Sequence, residues 1–197
     1  DVFRGALSSK ATIEQLSIAD ENGVWLIIKG VTLDWDRAAV LSGEININEL
    51  SAEHIEIRRI PSASPSSPSA QASEFNLPEL PVSIAIASIA AQEVALAEGI
   101  VGPAVNLSVQ GSLGLSDGVG QASLSIHRKG PVSGAFELAA GYAHDTREVF
   151  LDLSLIEDAA GIIATLLNIP DTPRVALSLK GVAPIDAFSA QVVLATE

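Results

Sequence analysis

Three histidines, a pair of aspartates around a tryptophan, and a scatter of serines and glycines are the residues of this chain that could do chemistry. His54, His127 and His144 are separated by long intervals and fall in or beside expected strands. None stands at the spacing to a second His or a carboxylate that would define a metal site, so a surface or turn role is expected for each. Asp34 and Asp36 flank Trp35 and would share one face of a strand. Paired carboxylates can do acid–base work, but Asp36 also stands where a helix N-cap is needed, and a cap beside a solvated neighbour is the reading adopted. Ser never occurs as G-x-S-x-G; Gly130-Pro131-Val132-Ser133-Gly134 is off by one residue and reads as a turn. Gly118-Val119-Gly120 has no helix after it, so it is not a phosphate cradle. Asn106-Leu107-Ser108 is a formal glycosylation sequon placed in a strand and carries no weight. No enzyme activity, no cofactor and no metal are expected.

Composition narrows the partners. The 197 residues carry a formal charge of −13, which repels phosphate backbones and anionic membrane surfaces, so nucleic-acid binding is not expected. Hydrophobic residues make up 48% but aromatics only 4%, so the apolar surface is smooth Ala, Val, Ile and Leu rather than the aromatic anchors of recognition hot spots. There is no Cys, so disulfides and thiolate metal sites are excluded. No run approaches the ~18 consecutive apolar residues that span a bilayer. Met is absent throughout, position 1 included, so the chain is expected to be a piece excised from something longer.

The elements that must position these residues are strands. In residues 33–59 strict alternation puts Ile45, Ile47, Ile55 and Ile57 on one face and Asn46, Asn48, Glu56 and Arg58 on the other. Period-2 patterning of this kind means a sheet with one apolar and one wet face. Strands are expected near 11–19, 24–33, 44–50 and 53–60, and then near 82–90, 92–99, 104–115, 121–129, 133–142, 148–156, 174–182 and 187–195. Hairpin turns are expected at Glu21-Asn22-Gly23, Ser116-Asp117-Gly118 and His144-Asp145-Thr146. Short helices are expected over 36–42, opened by Asp36, and over 158–168, opened by Glu157 or Asp158 and closed before Pro170. Residues 61–74 hold three Pro and six Ser in fourteen positions, too little apolar surface to order themselves, and predict a mobile, dispensable loop. The chain thus divides into a first β segment (1–60), a Pro/Ser-rich loop (61–77) and a second β segment (78–197), read as one continuous β structure. A pattern Leu-x-aliphatic-Lys/Gln-Gly recurs at Leu26, Leu107 and Leu177, at intervals of 81 and 70 residues that are too irregular for a solenoid.

Further inward positions extend the apolar face: Ile84 and Ile86, Leu107 and Val109, Leu124 and Ile126, Leu151 and Leu153, Leu177 and Leu179, Val192 and Leu194. No strong polar anchor is expected among the inward positions. Twelve strands at about 4.8 Å spacing make a sheet about 55 Å wide, which must curl or fold on itself. The fold class is all-β, mainly antiparallel, with two short helices. It is either a long curved sheet with a taco-like open groove or a closed β-sandwich.

One stretch also resembles a known family. Leu33-Asp34-Trp35-Asp36, Ala38-Ala39, Leu41, Gly43, Leu50-Ser51-Ala52-Glu53 and Ile55 through Pro61 are similar to the N-terminal periplasmic part of the TamB family. That family belongs to the AsmA-like, bridge-like lipid-transfer proteins. Ile18-Ala19-Asp20, Gly23-Val24-Trp25-Leu26, Glu157-Asp158-Ala159-Ala160-Gly161, Thr165-Leu166-Leu167, Pro170 and Pro173 extend the likeness over nearly the whole chain. The resemblance implies the open groove, phospholipid as cargo and a role in outer-membrane biogenesis. It also implies a TamA-type barrel partner engaged through other parts of the protein, a periplasmic location, and an inner-membrane anchor upstream. The other class of function compatible with these strands is a structural or adhesive surface module with no lipid role.

Overall fold

The fold was described from a computed structural model, covering residues 3–4, 9–62 and 83–196. Residues 3–4 contribute backbone only.

Alternation of β-branched and polar residues produces one eleven-stranded sheet whose strands lie side by side in chain order. The strands are β1 (Phe3–Arg4), β2 (Lys10–Asp20), β3 (Gly23–Asp36), β4 (Glu44–Ile57), β5 (Ser83–Leu96) and β6 (Val105–Ser116). They continue as β7 (Val119–Lys129), β8 (Gly134–Ala143), β9 (Glu148–Glu157), β10 (Val175–Pro184) and β11 (Gln191–Thr196). Every neighbouring pair is antiparallel except β4 and β5, which run parallel. The connection between those two, residues 58–82, therefore has to return the chain to the starting end of the strand. The Pro/Ser loop is part of it, and all but its first residues lie outside the described ones.

The sheet is open, with β1 and β11 as its two edges, and among the described residues no second sheet packs on it. That settles the choice left by the sequence against the closed sandwich. Burial agrees. Among the described residues the buried apolar side chains are mostly Ala and Val, and Val175 is the one large side chain below 2% exposure.

Two pairs of expected strands merge. Residues 44–50 and 53–60 form the single strand β4, and 82–90 and 92–99 form β5. The apparent breaks are β-bulges. Register shifts between Ile86 and Ile89 and between Ala91 and Val94, and the β4 partners shift in step. Each bulge inserts one residue and flips the parity, so two of them restore it. Ile45 and Ile55 thus share a face, as expected, and so do Leu50 and Ala52 between them, which simple alternation puts on the opposite side.

The turns follow the local chemistry. Asp117 (φ 50°) and Gly118 (φ 72°) form the two-residue loop joining Ser116 to Val119, the left-handed pair that a type I′ hairpin requires. The helices are shorter than expected. The first is a single 3₁₀ turn, Ala39–Ser42, in which Ala39 is buried but Leu41 is 93% exposed. Asp36 does not cap it; its Oδ1 accepts from Ala38 N at 2.9 Å and so shapes the turn before it. The second, α1, spans only Ile162–Leu166. Its expected acidic opener acts from a distance: Glu157 Oε2 accepts from Ile163 N at 2.8 Å. A further 3₁₀ turn, Ile185–Ala187, precedes β11 and was not expected.

Candidate apolar groove

Cross-strand partners lie on the same face of a sheet, so the pairing register converts the inward positions into lanes running across the strands. Six such lanes start at β4, and two of them reach β11. The first joins Ile57, Leu96 and Val105. The second joins Ile55, Val94, Leu107, Arg128, Gly134, Glu157 and Val175. The third runs Ala52, Ala91, Val109, Ile126, Phe136, Leu155, Leu177 and Leu194, and the fourth Leu50, Ile89, Gly111, Leu124, Leu138, Leu153, Leu179 and Val192. The fifth holds Ile47, Ile86, Leu113, Ala122, Ala140, Leu151 and Gly181. The sixth holds Ile45, Ile84, Leu115, Gly120, Tyr142 and Val149.

All sixteen groove positions read from the sequence fall in these lanes and on one face. Fourteen are half-buried, while Val192 (58% exposed) and Leu194 (54%) on the edge strand β11 stand open. None is buried. The recurring Leu-x-aliphatic pattern has the same placement: Leu26 and Ile28 join the first two lanes, Leu107 and Val109 the second and third, Leu177 and Leu179 the third and fourth. Trp35 pairs with Ile47 at the head of the fifth lane and is half-buried.

Two residues break the apolar rule. Arg128 lies on the parity of Leu124 and Ile126, and Glu157 on that of Leu153 and Leu155. The expectation that the inward parity lacks a strong polar anchor is therefore corrected. Both are strand-terminal residues, at the point where alternation gives way to a turn, and the sequence signal is simply their even and odd count from their neighbours. Arg128 Nη1 lies 3.3 Å from Glu157 Oε1, with side chains 12% and 6% exposed. The long β9–β10 connection, residues 158–174, carries α1 over them. Thr172 O accepts from Ala160 N at 2.9 Å and closes its neck, and Ala164 and Val175 beneath it are 0% and 1% exposed. A cavity of about 110 Å³ remains under α1, lined by Leu107, Ile126, Phe136, Leu155, Ile162 and Ile163 beside the charged pair. At the other ends of the strands a wider opening of about 660 Å³ borders Ile86, Leu113, Ala122, Ala140 and Tyr142.

The histidines find carboxylates that spacing could not reveal. His54 Nδ1 is 3.4 Å from Glu93 Oε2, its register partner across the parallel pair. His127 Nε2 is 3.5 Å from Glu137 Oε1 and 3.1 Å from Ser125 Oγ. His144 lies in the β8–β9 turn, where its N–H donates to Gly118 O. Asp34 accepts from Asn48 Nδ2 at 3.1 Å across the strand.

Beyond the lanes, at the β2–β3 turn, Asp20 is the most heavily bonded carboxylate among the described residues. It takes two contacts from the Arg59 guanidinium together with the N–H groups of Asn22 and Ser62. The Arg59 hydrogen bonds, and after them the one from Ser62, hold the Asp20 carboxyl far below the usual carboxylate range and raise Arg59 in turn.

No family model matches the chain, and neither a curated protein nor a solved structure is significantly similar to it.

Proposed function

We propose that this chain is a non-enzymatic segment of a periplasmic bridge between the inner and outer membranes. It carries phospholipid along an apolar β groove in support of outer-membrane biogenesis, and the full-length protein is tethered to the inner membrane. The observation that carries the reading is the pair of lanes, third and fourth, that stay uncharged from β4 to β11 on a face that, among the described residues, no second sheet covers. Seven strand gaps at about 4.8 Å make each lane about 34 Å long, comparable with the ~30 Å hydrocarbon core of a bilayer. A lane of Leu, Ile and Val returns to each acyl CH₂ about the 0.8 kcal/mol that a bilayer returns. Transfer is then nearly neutral along the path, and cargo is not trapped in the third and fourth lanes. Work with a TamA-type barrel, and assembly of outer-membrane proteins, belong to the same proposal and involve parts of the protein outside this chain.

A photo-crosslinker at Val109 or Leu153, in the lanes, is expected to capture phospholipid in cells, and one at Ser108, on the other face, is not. Leu153→Asp is expected to fold and to block lipid passage, because a charge in the lane raises a desolvation barrier. Equal capture at Val109 and Ser108, or a Leu153→Asp protein that merely unfolds, would refute the conduit.

A further inference from the structure

Arg128 and Glu157 are the only charged members of the six lanes, and both are short of partners. Arg128 has five N–H donors. Its one acceptor among the described residues is Glu157 Oε1 at 3.3 Å, longer than the ~2.7–2.9 Å of a good charge-assisted bond. Glu157 gives Oε2 to Ile163 N and keeps lone pairs on both oxygens. Both side chains are sheltered, and the cavity under α1 that reaches them is lined by Ile126, Phe136 and Leu155 of the third lane. A cation and an anion side by side, flanking the middle of an acyl-sized lane, match a molecule that carries a phosphate, an ammonium and a hydrocarbon chain.

We infer that Arg128 and Glu157 form a head-group site for a zwitterionic phospholipid, with the phosphodiester on Arg128, the ammonium on Glu157 and an acyl chain along the third lane. The inference rests on the conduit reading above and names the lipid class which that reading leaves open. The charge of the pair decides the class. A head group with a phosphate and no cation would meet Arg128 but also confront the Glu157 carboxylate a few ångströms away, where the medium screens poorly. A zwitterion satisfies both. A mere staple for α1 has less need of charge, since a well-packed apolar pair often holds as firmly as a buried ion pair.

The test uses the whole chain and vesicles of phosphatidylethanolamine or phosphatidylglycerol with identical acyl chains, the bound lipid being counted by native mass spectrometry. The wild-type protein is expected to prefer the ethanolamine lipid about tenfold, the size of one charge-assisted contact. Glu157→Gln keeps an acceptor for Ile163 N and is expected to erase the preference. The double variant Arg128→Gln/Glu157→Gln leaves no unpaired charge, so it is expected to fold, to bind both lipids and to distinguish neither. Lipid binding that depends on Leu153 but shows no head-group preference overturns the inference and leaves the conduit standing. So does a Glu157→Gln protein that loses thermal stability while keeping the preference. Failure of the wild-type protein to bind either lipid overturns both.

Discussion

Asp20 and Arg59 show how a single ion pair can fasten the sheet at a point where covalent continuity is long. Asp20 ends β2 at the β2–β3 turn, and Arg59 and Ser62 lie just beyond β4 as the chain enters the crossover to β5. Hydrogen bonds to the charged carboxylate depress its pKa in the folded state, so the stabilisation is complete above the unfolded value of ~3.9 and is lost as pH falls below it toward the folded value. An Asp20→Asn protein is expected to have a lower urea midpoint than wild type, by a constant difference from pH 5 to 8, and the difference should shrink below about pH 4. A gap as large at pH 2 as at pH 7 would mean the carboxylate charge is not what fastens this corner. Glu56, depressed chiefly by its bond to Arg58, titrates with the same sign.

Among the elements, the β9–β10 connection, residues 158–174, is the longest of those wholly described. It carries four of the six non-glycine residues with positive φ, at Ala160, Asn168, Asp171 and Thr172. It folds back on itself as the Glu157 carboxylate holds Ile163 N and Ala160 N donates to Thr172 O, and Ala164 within it and Val175 at its end are buried. A Cβ on Gly161 would stand 2.2 Å from Glu157 Cδ, so only glycine lets the chain pass the carboxylate. Since this is the best-sealed point of the molecule, Val175→Ala is expected to cost about 2–3 kcal/mol by lost transfer and residual cavity. Leu179→Ala removes more atoms from a half-buried lane and is expected to cost less. Equal or reversed losses by chemical denaturation would show that the lanes are as tightly covered as the ground under α1.

At the scale of the whole molecule, a single layer buries less apolar surface than two layers of the same length. The slope of unfolding free energy against urea follows the surface newly exposed. This chain is expected to give a slope clearly below that of a compact protein of 197 residues. A slope at the compact value, in protein shown to be monomeric by sedimentation, would mean that the apolar face is covered after all.

Most of the strands, the parity of side chains between bulges and the turn at Asp117-Gly118 were legible in the sequence, because alternation with period 2 and left-handed turn residues are properties of neighbours along the chain. The sixteen lane positions were found for the same reason. What the sequence could not decide was everything set by pairing. The parallel joining of β4 to β5, with bulges at matching places, depends on which strand lies alongside, and in the sequence the bulges look like strand ends. The carboxylates beside His54 and His127 arrive by register across 39 and 10 residues of chain. Arg128 and Glu157 could be counted onto the apolar parity, but only the adjacency of β7, β8 and β9 brings them together, 29 residues apart, beneath a helix that one of them caps. Whether the apolar face would close was likewise a matter for the tertiary structure, since alternation is the same in a sandwich and in an open sheet, and only the order of the described strands, side by side from β1 to β11, leaves that face without a second sheet.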